Sequence, residues 1–441
     1  MRCVVFTVSF YFFQKKIDHG LESKAYKVIM SGDFLKILFF LLFIAIFSTN
    51  AHAQYYDTLP KGVRMVMGKF IQSNVESSFN QSQSETPYAY DIDSNIQNLE
   101  KIDNQMVQDA LSLFASYPDA YSKLSLGTHS LEANAQVNVD VYAFGYGITD
   151  RITAYMGIPI YNAKVNLDYG RRSNSSQKEV AETLQKLYGD NWAQFLGNAV
   201  EQLYNIDEGV LQSAIVNTLG YDELGSWEAQ GLGDIELGVM YNFIRESRWG
   251  LMVTTGVVAP TGYVDDPDII QDIGFGDGQW DYFLEFGGGY RLSSKLVLNA
   301  WGRYNYQLES QKALRTPYSS KVPLSDITDV YTEKLGNQYT LSTSLEYSFN
   351  DWLKVIPEYI YKSTDKAQYD SDNALANDLL AQGTESYSHN AKILAQLSSV
   401  DLYLKKQFLL PAKLLFSYQA MLNGRNTPKA NLTELSFQMF F

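Results

Sequence analysis

Ionisable residues recur at every second position in several stretches of this chain, and that spacing puts them on one face of an extended strand. Asp234 and Glu236 form one such pair, Arg303 alternates with Asn305 and Gln307, and Lys354 and Glu358 share a face; Glu285 and Glu346 stand in segments of the same kind. Charges of both signs on a common face can line a wet passage and tune which solutes enter it. The same charges can instead pair across the lumen and brace its wall. The same face is expected to carry Asp140, Glu309, Asp401 and Glu434 among the acids, with Lys362, Lys405 and Lys413 among the bases. The acidic excess predicts a weak cation preference for any open path.

Catalytic groupings are sparse. From residue 54 onward there are two histidines, His129 and His389, both expected in external loops. Tyr387-Ser388-His389-Asn390 holds the residue types of a Ser–His hydrolase without the spacing such a mechanism needs. The acidic run from Asp265 through Asp268 and Asp272 to Asp277 could hold calcium through its oxygens, but no EF-hand spacing is present, and solvated loop acids are the more common case. The expectation is no enzyme, no cofactor and no metal centre.

The segments that must position these residues alternate with a period of two. Tyr339, Leu341, Thr343, Leu345, Tyr347 and Phe349 oppose Gln338, Thr340, Ser342, Ser344, Glu346 and Ser348; the chain ends on Leu435, Phe437, Met439 and Phe441 against Glu434, Ser436 and Gln438. Any half-buried sheet can alternate in this way. Repetition in segments of about ten residues with aromatics at their ends is the mark of a transmembrane barrel. Twelve segments qualify: 61–72, 133–147, 151–167, 232–245, 248–261, 279–292, 295–309, 336–349, 352–364, 390–406, 411–423 and 430–441. A slip of phase at Ser398-Ser399 suggests a bulge. Short and long connections alternate, so every short turn falls on the side of both termini, as in an outer-membrane barrel. The predicted fold class is therefore all-β: an antiparallel transmembrane barrel of about twelve strands with helical insertions in its external loops.

Between Gln177 and Leu219 the apolar period becomes helical, through Val180, Leu184, Leu187, Trp192, Leu196 and Val200, inside a long external loop at 168–231. A weaker helical stretch runs from Ile92 to Ala115. The 177–219 segment could be a lid or plug over the pore, or a cap packing on its own apolar faces at the rim.

Composition agrees. The 441 residues include 32 Tyr, 24 Phe and 6 Trp, with 19% charged residues, which excludes a disordered chain or a coiled coil. Mean hydropathy of −0.20 excludes a polytopic helical membrane protein. The one long apolar run, Leu35 to Phe47, precedes Ala51-His52-Ala53, so residues 1–53 read as a cleaved secretory signal, with Met30 giving a start of ordinary length. Residues 54–441 would then form the barrel, carrying 29 Lys/Arg and 46 Asp/Glu and no cysteine. That balance leaves out thiol chemistry and disfavours nucleic acid. The expected partners are outer-membrane lipid with lipopolysaccharide and a small solute, in a Gram-negative outer membrane; the oligomeric state stays open.

Gly231-Leu232-Gly233-Asp234 opens one strand, Pro260-Thr261-Gly262 closes the next, and Gly274-Phe275-Gly276-Asp277-Gly278 precedes another. Together with Tyr146-Gly147-Ile148-Thr149-Asp150-Arg151, these pieces resemble the outer-membrane barrel family labelled for the meta-pathway of phenol degradation, which is similar to the FadL-like channels for hydrophobic solutes. The resemblance spans residues 135–309 and implies passage of small hydrophobic or aromatic molecules. Its motif residues, Gly231, Gly233, Asp234, Pro260, Thr261 and Gly262, suit a structural role, since Pro ends a ladder and Gly permits reversal. The alternative is a surface protein anchored by its barrel, whose large external loops bind a partner without transport.

Overall fold

The computed structural model describes residues 57–100, 105–171, 173, 175–204, 208–317 and 324–441, so the signal-segment expectation for 1–53 lies outside the described residues. Twelve strands form the wall: β1 (Arg64–Val75), β2 (Ser125–Thr149), β3 (Ile152–Arg171), β4 (Ile235–Arg245), β5 (Trp249–Ala259), β6 (Asp281–Arg291), β7 (Leu296–Gln307), β8 (Gln338–Ser348), β9 (Leu353–Thr364), β10 (Ser386–Ser398), β11 (Ala412–Arg425) and β12 (Asn431–Phe440). Each pairs antiparallel with its neighbours in sequence, and β1 closes the ring by pairing with both β2 and β12. No strand edge is left in the closed wall, which is what hydrocarbon surroundings demand of a backbone.

Alternation along the strands sorts the two faces. Phe70, Tyr142, Phe144, Tyr241, Phe286, Leu341, Tyr347, Phe416, Tyr418 and Phe437 stand exposed on the outside. Ser342, Ser344 and Glu346 of β8 and Ser417 and Gln419 of β11 turn inward and are buried. An apolar, aromatic-rich exterior on a closed antiparallel sheet is the outward surface of an outer-membrane barrel.

Several expectations change. The segment expected as one strand over 390–406 stops at Ser398, and the register shift falls at His389/Asn390 rather than at Ser398-Ser399. Serine side chains end it: Ser398 Oγ accepts from Val400 N at 3.3 Å, and Ser399 Oγ donates to Leu410 O at 2.6 Å, so a short helix, Val400–Leu404, replaces the ladder. Asp401 and Lys405 therefore sit at the periplasmic mouth instead of on the strand wall. Asp140 lies on the outer face, because its neighbours Val139 and Val141 are the ones lining the lumen. Glu309 lies exposed beyond the end of β7.

At the extracellular end β2 and β3 run on well past the wall, and the helices Gln105–Phe114, Pro118–Tyr121, Gln177–Tyr188 and Trp192–Tyr204 pack on one another there. Leu99, Leu111, Phe114, Leu184, Leu196 and Val200 form their shared apolar core. The stretch expected to be helical from Ile92 begins instead as a strand, Ala89–Asn95, paired along β2.

At the periplasmic end residues 57–60 tuck against the turn between β2 and β3. Thr58 Oγ1 donates to Asp150 O at 2.8 Å and Leu59 N to Thr153 Oγ1 at 2.8 Å. Gly147 makes room for them, since a Cβ there would stand 2.7 Å from Leu59 O and collide with the Pro60 carbonyl. Gly147→Val should therefore dislodge this segment at a cost of about 1–3 kcal/mol. Protease cleavage near residue 60 in the folded barrel should rise; unchanged resistance would show that the close approach is dispensable.

Candidate functional site

The barrel encloses a cavity of about 1780 Å³ that reaches from the periplasmic turns to the loop at 262–278. Its lining is divided by strand. On β1, β2 and β3 the inward residues are mostly apolar: Met65, Met67 and Ile71, then Val139, Val141 and Ala143, then Pro159 and Tyr161. Elsewhere the inward face is mainly polar and charged, interrupted by Met240, Val258, Trp301, Ile360, Leu432 and Phe440.

Two ion clusters dominate that polar part. Arg303 of β7 bridges Glu236 of β4 at 2.7 Å and Glu285 of β6 at 3.0 Å, and its guanidinium lies 4.0 Å from the centre of the Phe283 ring. Tyr155 OH donates to the other oxygen of Glu236 at 2.8 Å. Glu434 of β12 is held by Lys69 of β1 at 3.2 Å and Lys392 of β10 at 2.6 Å, with Ser417 Oγ donating at 2.8 Å. All six ionic groups line the same cavity.

The other expected lining residues fall into place around these clusters. Glu346 is buried and paired with Lys354 at 2.6 Å, and Glu358 accepts a short hydrogen bond from Ser342. Both point inward without joining either cluster. With these two counted among the inward groups, ten acids face nine bases, a near balance although the whole chain is strongly acidic. Most of the chain's surplus acids thus lie off the cavity wall. Lys69 and Lys392 escaped the sequence reading. Lys69 sits on a strand whose inward face is mostly apolar, and Lys392 was hidden by the misplaced phase of β10; continuing the alternation back from Gln396 finds it.

The Gly-rich motifs meet above this cavity. Asp234 Oδ1 accepts from Gly262 N at 2.9 Å and its Oδ2 from Asp277 N at 3.3 Å, while Thr261 Oγ1 accepts from Ile235 N at 3.0 Å and donates to Gly233 O at 2.9 Å. A Cβ on Gly262 would stand 2.7 Å from Gly276 N, so the two backbones touch only because both positions are glycine. Gly231 likewise leaves room for the Phe275 ring, which would lie 3.1 Å from a Cβ there. Pro260 follows the last residue of β5, where the chain leaves the sheet. The result is an inward-folded loop whose Phe275 stacks on Tyr161 with ring centres 5.2 Å apart and packs near Trp227 and Tyr263.

The acids expected in this loop are engaged by protein groups. Asp265 pairs with Lys312 at 2.5 Å, Asp268 with Arg315 at 2.7 Å, and Asp272 accepts from Tyr263 OH at 2.6 Å. No cluster suited to a metal ion occurs among the described residues. His389 lies on the opposite strand face from Ser388 and Asn390, which point inward and bond each other at 3.0 Å. Its ring instead meets Tyr359 OH at 2.5 Å. His129 is buried beside Tyr169 on the extracellular extension of β2.

The fold and its inward charges define an outer-membrane β-barrel with a charged internal cavity. Comparison of the fold finds an outer membrane channel from Pseudomonas putida F1, 13% identical, with 89% of this chain and 100% of that one covered at a TM-score of 0.50. The toluene transporter TbuX of Ralstonia pickettii (8% identity, 87% and 90% covered, TM-score 0.34) and a Pseudomonas aeruginosa FadL homologue (9%, 86% and 90%, 0.31) superpose less closely. No family model matches the chain, and no curated protein matches it.

Arg303→Met leaves Glu236 and Glu285 facing each other without their shared cation, and should destabilise the barrel by about 2 kcal/mol, between the values for exposed and buried pairs. The loss should appear as a lower temperature for the heat-induced gel-mobility shift, and the triple variant with Glu236→Gln and Glu285→Gln should recover most of it. Outside the membrane, burial pushes the Glu333 carboxyl above its usual range; Lys312 opposes this, while Asp265 and Asp277 add to it. Such a group favours the folded state most when protonated, a contribution lost as pH rises through the raised value. Proteolysis of the 308–337 loop should therefore quicken with rising pH, and Glu333→Gln should flatten that dependence.

Proposed function

We propose that this protein is an outer-membrane channel for small solutes with an apolar body, in the outer membrane of a Gram-negative cell, and that the loop at 177–219 acts as a lid on its outer side. The observation that carries this reading is the apolar strip inside the lumen on β1–β3, formed by Met65, Met67, Ile71, Val139, Val141 and Ala143. A barrel that passes only water and ions has a polar interior, whereas apolar side chains along the cavity give an apolar solute somewhere to rest; Ile71 and Val139 pack with Phe275 of the inward loop, so displacement of that loop bares the strip. The narrower resemblance to the phenol-pathway family points to the same solute class.

No residue of 177–219 lines the cavity among the described residues, which suits a lid better than a plug. The inward-folded obstruction is the loop at 262–278. The two are linked at Arg315, which donates to Leu219 O at 2.9 Å and Gly220 O at 2.6 Å while pairing with Asp268. Movement of the helical segment thus has a path to Phe275.

Single-channel recording of the folded barrel in a planar bilayer tests the reading. Stable current steps should appear, enlarge on deletion of 177–219, and be interrupted by added phenol. Val139→Asn with Val141→Asn should weaken that interruption about tenfold, the effect of losing apolar burial equivalent to one or two methylenes. A folded barrel that stays silent with and without the helical loop would overturn the proposal and favour surface anchoring.

A further inference from the structure

In a closed barrel of twelve strands, strands six apart stand on opposite walls. Glu236 on β4 thus faces Lys392 on β10, Glu285 on β6 faces Glu434 on β12, and Arg303 on β7 faces Lys69 on β1. Each of the six lies five to nine residues from the periplasmic end of its strand, so the clusters share a level near mid-barrel. One wall presents two glutamates that share one arginine, formally −1. The other presents a glutamate between two lysines, formally +1.

The apolar strip runs between them. Going round the wall from Lys69, the lining passes Val139, Val141 and Ala143 of β2, then Gly157 and Pro159 of β3, before reaching Glu236 of β4. A solute lying on this strip has a cationic wall at one end and an anionic wall at the other. Opposed charges set across a narrow lumen create a transverse field, which favours a molecule carrying both signs and turns it to match.

We propose that the mid-barrel level is a binding site for small zwitterions with an apolar body, such as an aromatic amino acid. The carboxylate goes to Lys69 and Lys392, the ammonium to Glu236 and Glu285, and the ring lies on β2. This rests on the channel reading above and narrows its solute class.

The test is flux into vesicles containing the full folded barrel, with empty vesicles subtracted, for three probes of matched shape: phenylalanine, phenylacetate and phenethylammonium. Phenylalanine should pass faster than either singly charged probe by about threefold or more, the discrimination expected of charges partly screened by lumen water. Lys69→Met should remove that advantage while favouring phenethylammonium, and Glu236→Gln should remove it while favouring phenylacetate. Each change leaves the central ion one partner, Lys392 or Glu285, so the barrel should keep its heat-shifted mobility; Lys69→Arg should restore the phenylalanine preference. Equal fluxes for the three probes, or a preference untouched by both variants, would overturn the site and leave the clusters as wall braces. Failure of the channel reading looks different: no probe, nor a neutral sugar, would pass at all.

Discussion

A chain that crosses hydrocarbon must satisfy every backbone N–H and C=O within itself, and for strands the only complete solution is a ring. Closure between β1 and β12 is thus the constraint from which the rest follows. It dictates that side chains alternate between lipid and lumen, and it turns the strict period of two in β8 or β12 into an outer apolar belt and an inner polar wall. It also sets strands six apart face to face, bringing together residues separated by up to 234 positions in sequence, as with Arg303 and Lys69.

Inside the ring, charges are dear to strand without partners. The lumen meets this by grouping them. Arg303 serves two glutamates and Glu434 serves two lysines, each cluster drawing on three or four strands, so one pair in each, Arg303–Glu236 and Lys392–Glu434, ties together strands that are not neighbours. Bracing and solute selection are compatible here, because each cluster keeps a residual charge of one sign. The apolar strip on β1–β3 then lies between two walls of opposite polarity, and the lumen is asymmetric in both hydrophobicity and charge.

The extracellular side obeys a different rule, that of packing in water. The helices of the two large loops bury Leu111, Phe114, Leu184 and Leu196 against one another, so the apolar faces that suggested a plug are used up in the cap itself. What enters the barrel is a shorter segment with no helical signal. It is held by Asp234 and permitted by Gly262 and Gly276, so the glycine motifs are structural in a specific sense: they let one loop fold back between strands.

The sequence by itself determined the strand count, the parity of short and long connections, and the inward direction of Asp234, Glu236, Glu285, Arg303, Glu346, Lys354 and Glu358. Period-two alternation is a local property, and it survives wherever one face is apolar and the other polar. It failed where both faces are apolar: along β2 the inward Val139 and Val141 alternate with outward Tyr142 and Phe144, so Asp140, the lone acid nearby, was assigned to the wrong side. It failed again after Ser398, where serine hydroxyls took over the backbone hydrogen bonds of the strand. Only the tertiary structure decided which charges share a cluster, that the lining is balanced while the chain is acidic, and which loop folds inward. Those outcomes depend on shear, closure and contacts between distant segments, and no local period encodes them.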